Sequence, residues 1–229
     1  MSAPLQQILA RIETAARAAG RDEPVSLLAV SKTQPASAVL ALHRLGQRAF
    51  GENYVQEAQA KQRSLAEAGL ADGALEWHLI GPLQSNKARE AALHFDWLQS
   101  LDREKLVAPL SRHRAGRSTP LNVLIQVNID GEASKSGCAP DAVPALARQV
   151  VAAEHLYLRG LMAIPEPAAD PARRRTAFRR MRALFDGLRA EHDGIDTLSM
   201  GMSDDFELAI AEGATMVRVG TALFGRRGA

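Results

Sequence analysis

Two cationic side chains stand where reactive chemistry is easiest to place. Lys32 follows the apolar run Ser26-Leu27-Leu28-Ala29-Val30-Ser31. Strand alternation puts Leu28, Val30 and Lys32 on one face. A lysine desolvated there becomes a nucleophilic amine, as Schiff-base chemistry requires. The plainer reading is that Lys32 has left the strand for solvent. Arg218 lies in Met216-Val217-Arg218-Val219-Gly220-Thr221. Val217 and Val219 suit a helix-facing side, so Arg218 points the other way. A guanidinium fixed inside a fold needs an acceptor, either a buried carboxylate or a ligand. Gly220 lets backbone N–H groups come close to an anion.

A third group of residues suits a phosphate. The run Thr197-Leu198-Ser199-Met200-Gly201 leads into Met202-Ser203-Asp204-Asp205 and a helical segment. Ser203 is a natural helix cap, and the two aspartates suit a helix start but repel a phosphate. Ser199 and the backbone amides around Gly201, Gly220 and Thr221 are therefore the expected phosphate grip. His78 and Asn53 complete the candidate site, with a structural histidine and a helix-capping asparagine as the plain alternatives. A lysine, an arginine and a phosphate-sized anion site are all satisfied by a phosphorylated aldehyde. Pyridoxal 5′-phosphate is such a molecule, with a ring nitrogen available to Arg218.

These residues must be positioned by a scaffold, and the pattern of the chain supplies one. Apolar runs of strand length lie near residues 26–31, 48–51, 76–81, 96–101, 121–129, 157–164, 196–200 and 215–220. Helical spacing occupies 36–45, 53–68, 85–94, 102–114, 141–153, 171–190 and 204–212, and an amphipathic helix ending at Gly20 precedes them. Alternation of this kind predicts a parallel sheet with helices outside. Eight such units in 229 residues predict an α/β fold, a single (β/α)8 TIM-type barrel, with its site at the carboxyl ends of the strands. An open doubly wound sheet usually carries a Gly-rich first turn, and neither G-x-G-x-x-G nor G-x-x-x-x-G-K-[ST] occurs. The arginines of 173–189 lie mostly off the apolar face and read as a solvated surface.

Composition narrows the function. A formal charge of +2 gives no reason to expect a nucleic-acid partner, and no apolar run reaches membrane-spanning length. One cysteine, Cys138, excludes an internal disulfide and a zinc site built on several thiolates. No signal sequence is evident, so the expected location is cytoplasmic.

Five segments also carry a resemblance: Leu28-Ala29-Val30-Ser31-Lys32-Thr33, Phe50-Gly51-Glu52-Asn53-Tyr54-Val55-Gln56-Glu57, Trp77-His78-Leu79-Ile80-Gly81-Pro82-Leu83-Gln84-Ser85-Asn86-Lys87, Leu198-Ser199-Met200-Gly201-Met202-Ser203-Asp204 and Val217-Arg218-Val219-Gly220-Thr221. They resemble the pyridoxal phosphate homeostasis protein family, also called the proline synthetase co-transcribed family. The resemblance runs from about residue 5 to 225. It implies one barrel domain over residues 1–229 with an N-terminal helix, similar to the N-terminal domain of alanine racemases (fold type III). It implies pyridoxal phosphate held as an internal aldimine on Lys32, with Arg218 at the ring nitrogen and Asn53, His78, Ser199, Met200, Gly201, Gly220 and Thr221 around the cofactor. Where racemases have an arginine near the phenolic oxygen, this chain offers Lys135, which is either a relay or a surface charge.

The resemblance implies a carrier or regulator in intracellular vitamin B6 homeostasis, without independent catalysis. Apo-enzymes that need the cofactor are its expected recipients, and a monomer is expected because the racemases' second domain has no counterpart. A small racemase using the same cofactor is the alternative. A cofactor-free Schiff-base aldolase is a third reading, disfavoured by the Arg218 and Gly220 pair.

Overall fold

The structure is a computed structural model that describes residues 3–132, 135–166 and 170–225. Eight strands form one closed barrel in chain order: β1 (Ser26–Val30), β2 (Ala49–Glu52), β3 (Glu76–Leu79), β4 (Trp97–Leu101), β5 (Leu121–Gln126), β6 (Leu156–Met162), β7 (Thr197–Ser199) and β8 (Met216–Val219). All neighbouring pairs are parallel, including the closing pair β1 and β8, where Leu28 stands beside Arg218. Around the barrel run α2 (Ala36–His43), α3 (Val55–Glu67), α4 (Ala88–His94), α5 (Val107–Arg114), α6 (Val143–Val151), α7 (Pro171–Glu191) and α8 (Phe206–Ala211). A first helix, α1 (Ala3–Ala18), packs against α8, and a short α9 (Thr221–Phe224) follows β8. The expected (β/α)8 architecture is therefore present, with the expected segments in place.

Strand alternation divides the apolar residues into two layers, as parallel barrels require. Ala29, Phe50, Leu79, Leu98, Val123, Ile125, Leu161, Leu198, Val217 and Val219 belong to the large core beneath the helices. Leu28, Ile80 and Met216, and separately Trp97, Leu124 and Met162, pack inside the barrel. Two expected boundaries shift for local reasons. The strand expected over 121–129 stops at Gln126, because the Asn128 side chain bonds back to both N–H and C=O of Glu132 and turns the chain. The helix expected from 204 begins at Phe206, because Asp205 Oδ1 accepts the Met202 N–H at 2.7 Å and closes a turn first.

Candidate functional site

A cleft of about 540 Å³ opens at the carboxyl ends of the strands, within the range of small-molecule sites. Lys32, Asn53, Lys135, Arg218, Gly220 and Thr221 line it, with Ser203, Asp204 and Gln126. Val30, Ile80, Pro82, Ile164, Met202 and Phe224 supply apolar wall. Lys32 is exposed, which answers to the plainer of its two sequence readings, a lysine that has left the strand for solvent. It sits two residues past the end of β1, where the inward face of the strand reaches the open mouth of the barrel.

The backbone around Lys32 is gripped from behind. Ser31 is fully buried and faces α3, opposite to Lys32. Lys61 occupies the buried face of α3 with Val55, Ala58 and Leu65. Its Nζ donates to Ser31 O at 2.6 Å, Glu52 Oε1 at 2.7 Å and Glu57 Oε1 at 2.8 Å, which uses all three of its protons. Ser31 Oγ donates to Glu52 Oε1 at 2.5 Å, and the Thr33 N–H donates to Glu57. Thr33 holds φ at 64°, a left-handed conformation that is costly for a β-branched residue. The residues on both sides of Lys32 are thus fixed by one charged cluster. Burial pushes the Glu52 carboxyl up, against the pull of Lys61 and Ser31, and Glu52 Oε2 is buried without a partner among the described residues.

Arg218 forms the floor, 3% exposed. Nη1 donates to Ser199 O at 2.8 Å and to Ser199 Oγ at 2.7 Å, and Nη2 donates to Ala163 O at 2.8 Å. None of these acceptors is a carboxylate, and guanidinium N–H groups are left over in the cleft. Burial lowers the guanidinium to about 10, so it remains a cation near neutral pH. The buried-carboxylate alternative for Arg218 is thereby excluded among the described residues.

The remaining candidates divide. Asn53, Gly220 and Thr221 line the cleft with Lys32 and Arg218. A Cβ on Gly81 would fall 2.2 Å from Asn53 O, so only glycine lets the exit of β3 cross here. His78, Ser199, Met200 and Gly201 do not line the cleft, which corrects their expected place in its wall. Ser199 Oγ lies beneath Arg218 and is taken by Arg218 and Gln99. Met200 faces the helix layer in the large core. Gly201 (φ 92°) serves packing, since a Cβ there would lie 2.6 Å from Ala209 of α8. His78 is inside the barrel, stacked on Trp97.

Ser203 takes the place expected of Ser199. The backbone N–H groups of Ser203, Asp204 and Thr221 have no acceptor among the described residues, and all three residues line the cleft. Donors left open beside a cation suit a phosphate. Lys135 also lines the cleft, with Nζ 2.8 Å from Glu132. Neither tyrosine does. Tyr54 is exposed outside the cleft and Tyr157 packs against Gly194. Sequence reasoning missed Lys61, Glu52 and Gln99. Each is a polar residue on an otherwise apolar face, and that mismatch was the available signal.

The family description "Alanine racemase, N-terminal domain" matches residues 4–228. A pyridoxal phosphate homeostasis protein of Pseudomonas aeruginosa is 58% identical, covering 97% of this chain and 94% of its own length. One of Escherichia coli is 51% identical, covering 97% and 95%. The PipY protein of Synechococcus elongatus, solved with PLP bound, superposes with a TM-score of 0.80 at 40% identity, over 94% of this chain and all (100%) of the other. An alanine racemase of Corynebacterium glutamicum shares the fold, with a TM-score of 0.65 at 20% identity over 98% of this chain and 62% of its own.

Proposed function

The chain belongs to the pyridoxal phosphate homeostasis protein family, and from that premise we propose how its cleft serves the role. The protein binds pyridoxal 5′-phosphate and acts in its homeostasis as a carrier or regulator. Lys32 is the point of covalent attachment. When bound, the cofactor supplies an aldehyde that condenses with primary amines. Lys32 offers such an amine at the mouth of the cleft, on a backbone fixed by Lys61 and Glu57. Arg218 offers donor-only N–H groups to the ring nitrogen. The open N–H groups of Ser203, Asp204 and Thr221 receive the phosphate. The carrying observation is that a buried guanidinium with no carboxylate partner shares one cleft with an exposed amine.

The role fits the open cleft. A lysine exposed to solvent can be reached by a competing amine of an acceptor apo-enzyme. Racemisation needs an acid and a base on opposite faces of the substrate carbon. Lys32 could serve one face, but no tyrosine lines the other among the described residues.

The test is the visible spectrum of the protein loaded with pyridoxal phosphate. A chromophore reducible by borohydride, mapped to the peptide containing Lys32 and lost in Lys32→Ala, supports the reading. Full-stoichiometry trapping on another lysine overturns the attachment point. Loaded protein is then mixed with a pyridoxal-phosphate-dependent apo-enzyme and, separately, with L-alanine. Activation without racemisation supports the carrier, and sustained racemisation by the pure protein overturns it.

A further inference from the structure

Arg218 is joined to the opposite end of the barrel by an unbroken run of hydrogen bonds. Its Nη1 is 2.7 Å from Ser199 Oγ, which is 2.7 Å from Gln99 Oε1. Gln99 Nε2 is 2.9 Å from His78 Nδ1, and His78 Nε2 is 2.7 Å from Glu76 Oε1. Ser199, Gln99 and His78 are fully buried, whereas the Glu76 side chain is 46% exposed. The His78 ring lies parallel to Trp97 within 10°, with centroids 5.1 Å apart, so packing fixes its plane.

The direction of every bond follows from the two ends. A guanidinium only donates, so Ser199 Oγ accepts from Arg218 and sends its own proton to Gln99 Oε1. That orients the Gln99 amide with its NH2 toward His78, where Nε2 also meets Met216 Sδ at 3.2 Å. His78 Nδ1 must then accept, which leaves the ring proton on Nε2. Glu76 receives it. Partial burial would raise the Glu76 carboxyl, but the hydrogen bond from His78 and the nearby Arg159 guanidinium act against it, and it is held below its ordinary value. A carboxylate at that end can only accept. Reversing any single bond would set two donors or two lone pairs against each other in a buried place.

We propose that Gln99 is a positioning residue for Arg218, fixing the guanidinium through Ser199 and tying its orientation through His78 to Glu76 at the far mouth of the barrel. The proposal rests on the reading of the cleft as a pyridoxal phosphate site. Its corollary does not: Arg218 selects the Nε2–H tautomer of a histidine that never reaches the cleft. Gln99 is placed for this because its donor and acceptor sit on different atoms and exchange only if the whole amide turns over, whereas a hydroxyl rotates and an imidazole changes tautomer.

Two measurements test it. The first needs no cofactor. Nitrogen-15 spectra of histidine-labelled protein, with His78 assigned by His78→Asn, should show the Nε2–H tautomer. In Gln99→Glu a carboxylate faces each ring nitrogen, so His78 should carry protons on both. An Nδ1–H tautomer in the unaltered protein overturns the proposal. The second uses protein loaded with pyridoxal phosphate. Gln99→Leu and Ser199→Ala should shift the absorption maximum of the reducible chromophore and release the cofactor about tenfold faster, the loss expected from one hydrogen bond to a charged group. Gln99→Glu still accepts from Ser199 and should restore the original maximum. Unchanged absorption and release in folded Gln99→Leu and Ser199→Ala overturn the proposal. A loaded protein without any chromophore would instead refute the reading of the cleft, and the tautomer would still decide the chain of bonds.

Discussion

Lys32 and Arg218 are each supported from behind by a buried polar cluster, one outside the barrel wall and one inside it. The outer cluster, between the ends of β1 and β2 and helix α3, is ionic: Lys61 sits among Glu52, Glu57 and the Ser31 carbonyl. The inner cluster is linked by uncharged groups, a hydroxyl, an amide and an imidazole, between Arg218 and Glu76. The difference matches what each must hold. The outer cluster grips main chain at Ser31 and Thr33 and leaves the Lys32 side chain free to reach into the cleft. The inner cluster grips a side chain and fixes its direction. Charge gives strength without much directionality, while a neutral chain gives polarity to every link.

Cutting the outer cluster should have the largest effect. Lys61→Met leaves Glu52 buried without its cation and should cost about 3–5 kcal/mol in urea unfolding. Adding Glu52→Gln to Lys61→Met should recover most of that loss. A loss in Lys61→Met below about 1 kcal/mol, the value of an exposed pair, would erase the distinction between the clusters.

The inner chain should break more gently. Gln99→Leu strands the Ser199 proton and His78 Nδ1, which should cost about 1–3 kcal/mol of stability by the same urea measurement. A cost equal to that of Lys61→Met would show that the chain carries more than neutral links.

Two carboxyls on neighbouring strands should respond to pH with opposite sign. Burial raises Glu52 in the fold above its unfolded value of about 4.3. Its contribution is therefore favourable below that pH and is lost as pH rises through the raised value. Glu76 is lowered in the fold, so its contribution is present above about 4.3 and is lost as pH falls through the lowered value. Unfolding midpoints between acid and neutral pH should show Glu52→Gln removing a loss on the rising side and Glu76→Gln removing a loss on the falling side. Slopes changed in the same direction by both variants would contradict the assignment.

The smallest effect belongs to Thr33. Thr33→Gly relieves the left-handed backbone but adds unfolded-state freedom, so a net gain of about 1 kcal/mol or less is expected. Thr33→Val keeps the strain and should show no gain.

The barrel was legible because its period is carried by many residues, each repeating one decision between strand and helix spacing. Lys32, Arg218, Asn53, Gly220 and Thr221 were legible because they stand at or just beyond strand ends, where depth and face agree. Ser199 and His78 were misplaced for a different reason. Alternation gives the face of a strand residue but not its height along the barrel axis, and both lie below the floor set by Arg218. Gly201 looked like a phosphate glycine, whereas close packing against Ala209 explains it. Gln99 is marked as a polar residue in a buried strand, but its meeting with Ser199 across the barrel depends on the register of several strands. Lys61 did leave one, a charge on the apolar face of α3.

The closing pair of strands has a consequence for biosynthesis. β1 and β8 bring Leu28 beside Arg218, so the two halves of the cleft come from nearly opposite ends of the chain. Synthesis delivers β1 first, and contacts this distant in sequence are slow to form. A nascent chain therefore has Lys32 but no guanidinium floor and no donors from Ser203 or Thr221. On the proposed reading, its cofactor site is still incomplete. A cofactor held by residues of both halves would bind the closed barrel in preference to the open chain and draw the folding equilibrium toward it by mass action. On the proposed reading, the cleft is complete only on molecules whose first and last strands have met.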